Sequence, residues 1–445
     1  MEYINIARNI NEGRGLTQSI KFHLYDPSPV ATSALRSRPP LTSLVYAFLL
    51  GIRNDPYFLQ IFNLGLGIIN ALLIFCITKN LAVSLLAVTN PNILITGRMV
   101  LSDQLFATIT LIVTLIYFRT KESINKYILL GFSLGLLTLT RLEGLWFLPI
   151  FILAFRKKIR LAIVFAAMFL LTMLPFFWKN YLDNGSPLFT KNDIHYRLLD
   201  VREGLEAGFE KNLPTSLEFI SANWTKIAPK IIEANTRHFI SLAELGYFGP
   251  LIIFVALAVW QQRKRFWPML LFSLGVMFLY GSLWSATFER SRHFIFVYLL
   301  LLIPLAEFLA KHRRLPVILL LTATLIGYLF LDVRRILWSR NVDPTVSVWD
   351  QSNKREIYDW INSNTRPESI IASTNPFMVN LQTRRPSVAI PINLNAENLP
   401  RYLDKFSVKY ILVINEDRLD SLFNQFPVTA NLSSGQIYFP VDVSP

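Results

Sequence analysis

Residues 56–77 read PYFLQIFNLGLGIINALLIFCI, twenty-two residues without a single charge. At a helical rise of 1.5 Å per residue the stretch reaches about 33 Å, the depth of a bilayer's hydrocarbon core. A segment in lipid must satisfy its own backbone N–H and C=O groups, which a helix does and an open strand does not. Apolar runs of this kind recur from Phe58 to Leu331. Ten membrane segments are expected, at 56–77, 81–97, 102–118, 127–141, 144–155, 161–178, 245–261, 266–285, 294–310 and 315–332, the fifth being short. Composition agrees. Hydrophobic residues make up 52% and charged residues 17%, where a soluble domain carries about 25% charged. The mean hydropathy is +0.39. The fold class is an all-α polytopic membrane protein.

A net charge of +14 would suit a nucleic-acid partner if the cations shared a surface. They lie instead in short turns between apolar runs. One set of alternate turns holds Lys79, Arg119, Lys121, Lys126, Arg156, Lys157, Lys158, Arg160, Arg263, Lys264, Arg265, Lys311, Arg313 and Arg314; the other holds Arg98, Arg141, Arg290 and Arg292. Such a bias reads as topology, with the first set cytoplasmic, and no nucleic-acid role is expected. Three larger pieces then face outward: 1–55 as an amphipathic loop with helices, 179–244 as a loop within the 56–332 membrane domain, and 333–445 as a tail. The tail reads as a small extracytoplasmic α/β domain. REIYDWINSN and LPRYLDKF are helical, and SIIAST and KYILVI are strands.

The chain opens MEYINIARNINEGRGL. Tyr3, Ile6, Ala7, Ile10 and Gly13 line one side and Asn5, Arg8, Asn9 and Glu12 the other, the pattern of an amphipathic surface helix with a glycine stop. It lacks the charged start and apolar run of a signal peptide. An outside amino terminus with no preceding span leads us to expect a membrane helix before Met1.

A charge at membrane depth costs about 2.5–3.5 kcal/mol on insertion scales, so each needs a reason. Asp103, in VLSDQLF, opens a span at its outer end. It reads either as a helix-terminus charge or as a carboxylate facing an outer cavity. Arg141 and Glu143, in LTRLEGL, close another span there, as a local pair or as a cation awaiting an anionic headgroup. Arg292, in ERSRHF, and Arg38, ahead of two prolines, read as interfacial and loop arginines or as phosphate ligands. Glu2, Arg38, Asp103, Arg141 and Arg292 all fall on one face by topology. Basic residues mixed with carboxylates there suit a phosphate-bearing lipid and a proton to be abstracted. His195 is a lone polar loop residue. The sole cysteine, Cys76, lies in an apolar run. No metal-ligand spacing, Walker loop or GxGxxG is present. NWT at Asn223 and NLS at Asn431 match the sequon pattern.

Several stretches together resemble the GT-C glycosyltransferases, in the branch of protein O-mannosyltransferases and lipid A aminoarabinose transferases. EYINIARNINEGRGL is similar to the first outer-loop helix, SRPPLTSLVYAFL to the following Pro-Pro-Leu segment, and TGRMVLSDQLF to the second acidic site. GLLTLTRLEGLWFLP, PFFWKNYLDNGSPLF and RSRHFIFVYLLLLIPL resemble later segments in the same order. The likeness covers most of residues 1–310. It implies a polyprenyl-phosphate sugar, undecaprenyl or dolichyl, as donor. It also implies a hydroxyl of a glycan, lipid or protein as acceptor, with transfer on the outer face of a plasma membrane. Asp103 matches the second acidic position, and Arg38 a basic residue that meets the donor phosphate. Arg141 and Arg292 sit at phosphate-facing positions. The family's main carboxylate, aligned on Tyr3, falls before Met1, leaving Glu2 as the stand-in. The resemblance leaves the use of a divalent ion open. The rival readings are a lipid-phosphate-binding relative without the base, and a flippase for lipid-linked sugars.

Overall fold

The computed structural model describes residues 1–22, 24, 28–36, 38–188, 216–244, 247–283, 294–312, 315–341, 355–391, 394–413, 423, 427–432 and 435–438. The protein is a helical membrane bundle with a small sheet domain from its tail.

Three described helices are long and apolar enough to cross a membrane: α3 (Pro56–Thr78), α9 (Ile159–Asn184), and residues Val317–Arg334 of α13 (Leu315–Asn341). Ile61, Ile68, Ile163, Leu171, Ile326 and Phe330 on them are exposed, as lipid-facing side chains are. Inside the bundle, α6 (Asp103–Arg119) packs against α3, against α7 (Ile124–Thr140) and against α12 (Ile295–Lys311). Its core is rich in rings, with Phe106 edge-on to Phe296 at 5.2 Å between centroids and Phe147 stacked near Phe272.

Three of the expected segments take a different form. The 81–97 run divides into α4 (Leu81–Val88) and α5 (Pro91–Arg98). Asn90 caps the second piece, accepting from the Asn92 and Ile93 amides at 3.0 and 3.2 Å, and Pro91 occupies the first helical position. Such an Asn-Pro start is pre-organised to begin a new helix. The 245–261 and 266–285 runs, by contrast, share one 32-residue helix, α11 (Ile252–Leu283). The five residues QQRKR at 261–265 are good helix formers and include no breaker, so their charge does not turn the chain. They find partners instead: Gln262 donates to the Pro304 carbonyl at 2.9 Å and Arg265 pairs with Glu307 at 2.6 Å. Between α9 and the next apolar run, α10 (Ser216–Ala243) is a further helix, kinked at Asn223.

In the tail, α14 (Arg355–Asn364), β4 (Ile371–Ser373), α15 (Pro376–Thr383), β5 (Ser387–Ala389), α16 (Leu399–Lys405), β6 (Tyr410–Val413), β7 (Val428–Leu432) and β8 (Gly435–Tyr438) follow in order. The helices and strands read from the sequence are all present. One strand comes from elsewhere. Near the amino terminus β1 (Thr17–Gln18) and β3 (Thr32–Ser33) form a separate antiparallel pair, while β2 (Ile20–Lys21) joins the tail's sheet parallel to β5, giving the order β2-β5-β4-β6-β8-β7, in which β8 pairs antiparallel with both β6 and β7 and the other neighbours are parallel.

The same connection changes the reading of the opening helix. Helix α1 (Glu2–Asn11) is no surface helix: Asn5 and Asn9 on its polar side are buried with Tyr3, Ile4, Ile6 and Ala7. It lies between α2 (Leu41–Ile52) and α15, sharing a core with Tyr46, Leu50, Met378 and Leu381. Its polar side is satisfied by the tail. Asn5 donates to Asn380 Oδ1 and Arg8 to the Leu381 carbonyl, both at 2.8 Å, and Arg384 pairs with Glu12 at 3.2 Å.

Candidate active site

Arg141 terminates α7. Its backbone is extended (φ −153°, ψ 135°), turning the chain out of the helix into a short 3₁₀ turn at Leu142–Trp146. That turn folds back so closely that a Cβ on Gly144 would lie 2.8 Å from the Thr138 amide nitrogen, so the position demands glycine. The fold-back brings Glu143 beside Arg141. The guanidinium then spans two carboxylates: Nη1 donates to Asp103 Oδ1, and Nη2 to Glu143 Oε1 at 3.1 Å. Asp103 stands at the first position of α6, where the helix dipole favours an anion. All three side chains are more than four-fifths buried. The Arg141 guanidinium also lies over the Phe106 ring, 5.6 Å from its centroid.

A second arginine–carboxylate pair adjoins the first. Arg38 Nε donates to Glu2 Oε2 at 2.7 Å and sits 5.6 Å over the Tyr3 ring. Tyr3 in turn donates its hydroxyl to Ser102 Oγ at 3.0 Å, tying α1 to the residue just before Asp103. The Arg38 and Arg141 guanidinium groups are within electrostatic range of each other. The Arg38 loop is pinned to the far end of α9, where Ser33 donates to Asp183 Oδ2 at 2.6 Å and Arg36 to Asn184 Oδ1 at 3.0 Å. The prolines 39 and 40 then lead into α2.

A buried polar network beneath these pairs holds α3 and α6 in register. Tyr46 donates to the Leu101 carbonyl at 2.7 Å, and Asn63 to the Met99 carbonyl at 2.8 Å. Asn70 donates to Gln104 and accepts from Thr108, while Gln104 donates to the Ile93 carbonyl at 2.8 Å. The Tyr247 hydroxyl is fully buried, has no hydrogen-bond partner among the described residues, and lies within electrostatic range of Asp103.

Four of the five residues singled out from the sequence, Glu2, Arg38, Asp103 and Arg141, therefore converge. Arg292 lies outside the described residues, as do Arg290, Glu289 and His195. Sequence reading missed Tyr3, Ser102, Tyr46 and Tyr247 as parts of the site. The Asn63–Asn70 spacing of seven, on one face of an apolar helix, is a signal that sequence reading passed over and that could have revealed the polar network. Among the described residues no three His, Cys, Asp or Glu side chains converge as metal ligands.

No family profile matches the chain, and no curated protein matches it in sequence. Solved structures do. ArnT from Cupriavidus metallidurans bound to undecaprenyl phosphate superposes with a TM-score of 0.56 at 12% identity, over 99% of this chain and 93% of that one. Its apo state gives 0.55 at 12% identity, over 98% and 92%. The archaeal oligosaccharyltransferase AglB from Archaeoglobus fulgidus, in complex with an inhibitory peptide and a dolichol-phosphate, gives 0.51 at 14% identity, over 93% and 65%. Together with the bundle, the ion pairs at one end of it and the appended sheet, these likenesses identify the architecture: the chain has the polytopic membrane fold shared by ArnT and AglB.

Proposed function

We propose that the protein transfers a sugar from a polyprenyl-phosphate donor to a hydroxyl of a glycan, lipid or protein acceptor on the extracytoplasmic face. The observation that carries this reading is the two adjoining arginine–carboxylate clusters, Arg141 buried with Asp103 and Glu143, and the part-exposed Arg38 with Glu2, on a GT-C fold. A guanidinium is a fork of donors that suits phosphate as well as carboxylate. A donor phosphate entering between Arg38 and Arg141 competes with the carboxylates for the same N–H groups. As the arginines turn to phosphate, Asp103 or Glu2 is freed to face the acceptor. The acceptor oxygen then attacks the anomeric carbon, and its proton passes to the carboxylate. The carbon–oxygen bond to the phosphate breaks, and the polyprenyl phosphate departs with its charge held by the arginines. Arg292 is a further proposed phosphate ligand.

The test uses the full chain in lipid nanodiscs, given undecaprenyl- and dolichyl-phosphate sugars with candidate acceptors. Release of polyprenyl phosphate is expected, falling by about 10²-fold or more in Asp103→Asn and in Arg141→Gln. Donor binding without transfer to any acceptor would favour the binding-only relative. Absence of binding as well would remove both readings.

A further inference from the structure

A cavity of about 830 Å³ lies at the opposite end of the bundle from Asp103. Asp103 starts α6 and Tyr117 near its end lines the cavity, so the two are about 21 Å apart along the helix. Six cations line it: Lys126, Arg156, Lys157, Lys158, Lys264 and Arg265. They come from three separate stretches, the start of α7, the turn between α8 (Phe147–Ala154) and α9, and the middle of α11. Two carboxylates meet part of this charge. Glu122 pairs with Lys126 at 2.9 Å and Lys158 at 2.8 Å, and Glu307 with Arg265. Arg156, Lys157 and Lys264 have no carboxylate partner among the described residues.

The cavity's other wall is apolar. Leu153 and Leu271 line it and are exposed, 49% and 45%, on segments read as membrane spans. Trp267 lines it as well, an amphipathic ring of the kind enriched where acyl chains meet headgroups. A free phosphate would use only the cationic wall. A ligand with an anionic head and an acyl tail uses both.

We propose that this cavity is a binding site for an anionic phospholipid. Its phosphate sits among Arg156, Lys157 and Lys264, and its chains run along Leu153 and Leu271. Basic pockets between membrane helices are suited to such headgroups. The bound lipid bridges the α8–α9 turn and α11, and offsets the mutual repulsion of the cations there that lack a carboxylate partner. The site is separate from the proposed donor site and does not depend on that assignment.

The test is native mass spectrometry of the full chain titrated with phosphatidylglycerol against phosphatidylcholine, with inorganic phosphate as competitor. Wild type should retain phosphatidylglycerol at least about tenfold over phosphatidylcholine, and Arg156→Gln with Lys157→Gln and Lys264→Gln should abolish that preference. Millimolar inorganic phosphate should leave it intact. Unchanged preference in the triple variant, equal retention of the two lipids, or displacement by inorganic phosphate would each overturn the proposal. Lys157→Gln alone, at an exposed turn position, guards against misfolding of the triple variant and should reduce the preference in part. An undiminished preference there, with a triple variant that fails to fold, counts against the site.

Discussion

Arg141 is held by two carboxylates at once, and that dual grip is the centre of the candidate site. Removing the cation leaves Asp103 and Glu143 facing each other with most of their surface withdrawn from water. Arg141→Gln should therefore destabilise the protein by about 3–5 kcal/mol, the usual cost of breaking a buried pair from one side. Arg141→Lys, which keeps charge but cannot fork to two acceptors, should lie between. Thermal unfolding in one detergent ranks the three, and a wild-type-like Arg141→Gln would show that the pair is solvated. A different pair predicts a pH dependence. Hydrogen bonds from Lys158 and Lys126, aided by Tyr127, lower the exposed Glu122 carboxylate from 4.5 to about 2. Its small contribution is thus complete above about pH 4.5 and lost as pH falls towards 2. The stability gap between wild type and Glu122→Gln should be flat above pH 5 and close on acidification; a constant gap down to pH 2 would contradict the assignment. Asp103 and Arg141 were legible in the sequence because a charge within an apolar run is conspicuous. Their pairing was not, because 38 residues separate them and only the packing of α6 against α7 brings them together. Glu2 and Arg38 were readable as candidates, but Tyr3, which links them to Ser102, looked like one apolar residue among several.

At the scale of elements, α7 and α9 meet through glycine. A Cβ on Gly131 would lie 2.3 Å from the Phe165 carbonyl oxygen, and one on Gly135 2.5 Å from Thr172 Cβ. Glycines four apart allow two membrane helices to approach at backbone distance. The Phe165 backbone cannot yield as a flexible side chain can, so Gly131→Ala should cost about 1–3 kcal/mol through overpacking. Gly65 in α3 is the control: a Cβ there meets nothing within 4 Å, and Gly65→Ala should stabilise by about 0.5–1 kcal/mol from helix propensity. Equal effects at the two positions would mean that α7 and α9 do not pack this closely. Hydropathy located nearly every apolar element but not where helices join or break. At Thr89–Pro91 the apolar character continues while a cap and a proline restart the helix. At Gln261–Arg265 the apolar character lapses while helix propensity carries α11 through. Hydropathy and propensity are separate signals, and they disagree at those two places.

Across the whole molecule, the tail is not a free appendage. It takes β2 from residues 20–21 into its sheet, and its α15 closes over α1, the helix that begins with Glu2. Pattern reading found the tail's own helices and strands, because those signals are local. The docking rests on partners more than 370 residues away in sequence, Asn5 with Asn380 and Arg8 with the Leu381 carbonyl, which no local pattern exposes. The arrangement makes the position of Glu2 depend on the tail. Leu381→Glu would place a charge in the core shared with Tyr3, Ile4 and Met378, at a cost of several kcal/mol unless α15 lifts away. Lifting is the cheaper response, since α15 and α1 meet along one face while α6 lies deep in the bundle, packed against α3, α7 and α12. Amide hydrogen exchange should then rise by about ten- to a hundredfold in residues 3–11, with little change in α6 and α7. Arg38 would lose a fixed Glu2, and binding of the proposed polyprenyl-phosphate donor should weaken while Arg141 and Asp103 remain paired. If exchange in α1 stays at the wild-type level, α2 alone seats that helix and the tail has no hold on the site. If α6 and α7 exchange faster as well, the tail supports the bundle as a whole rather than the placement of Glu2.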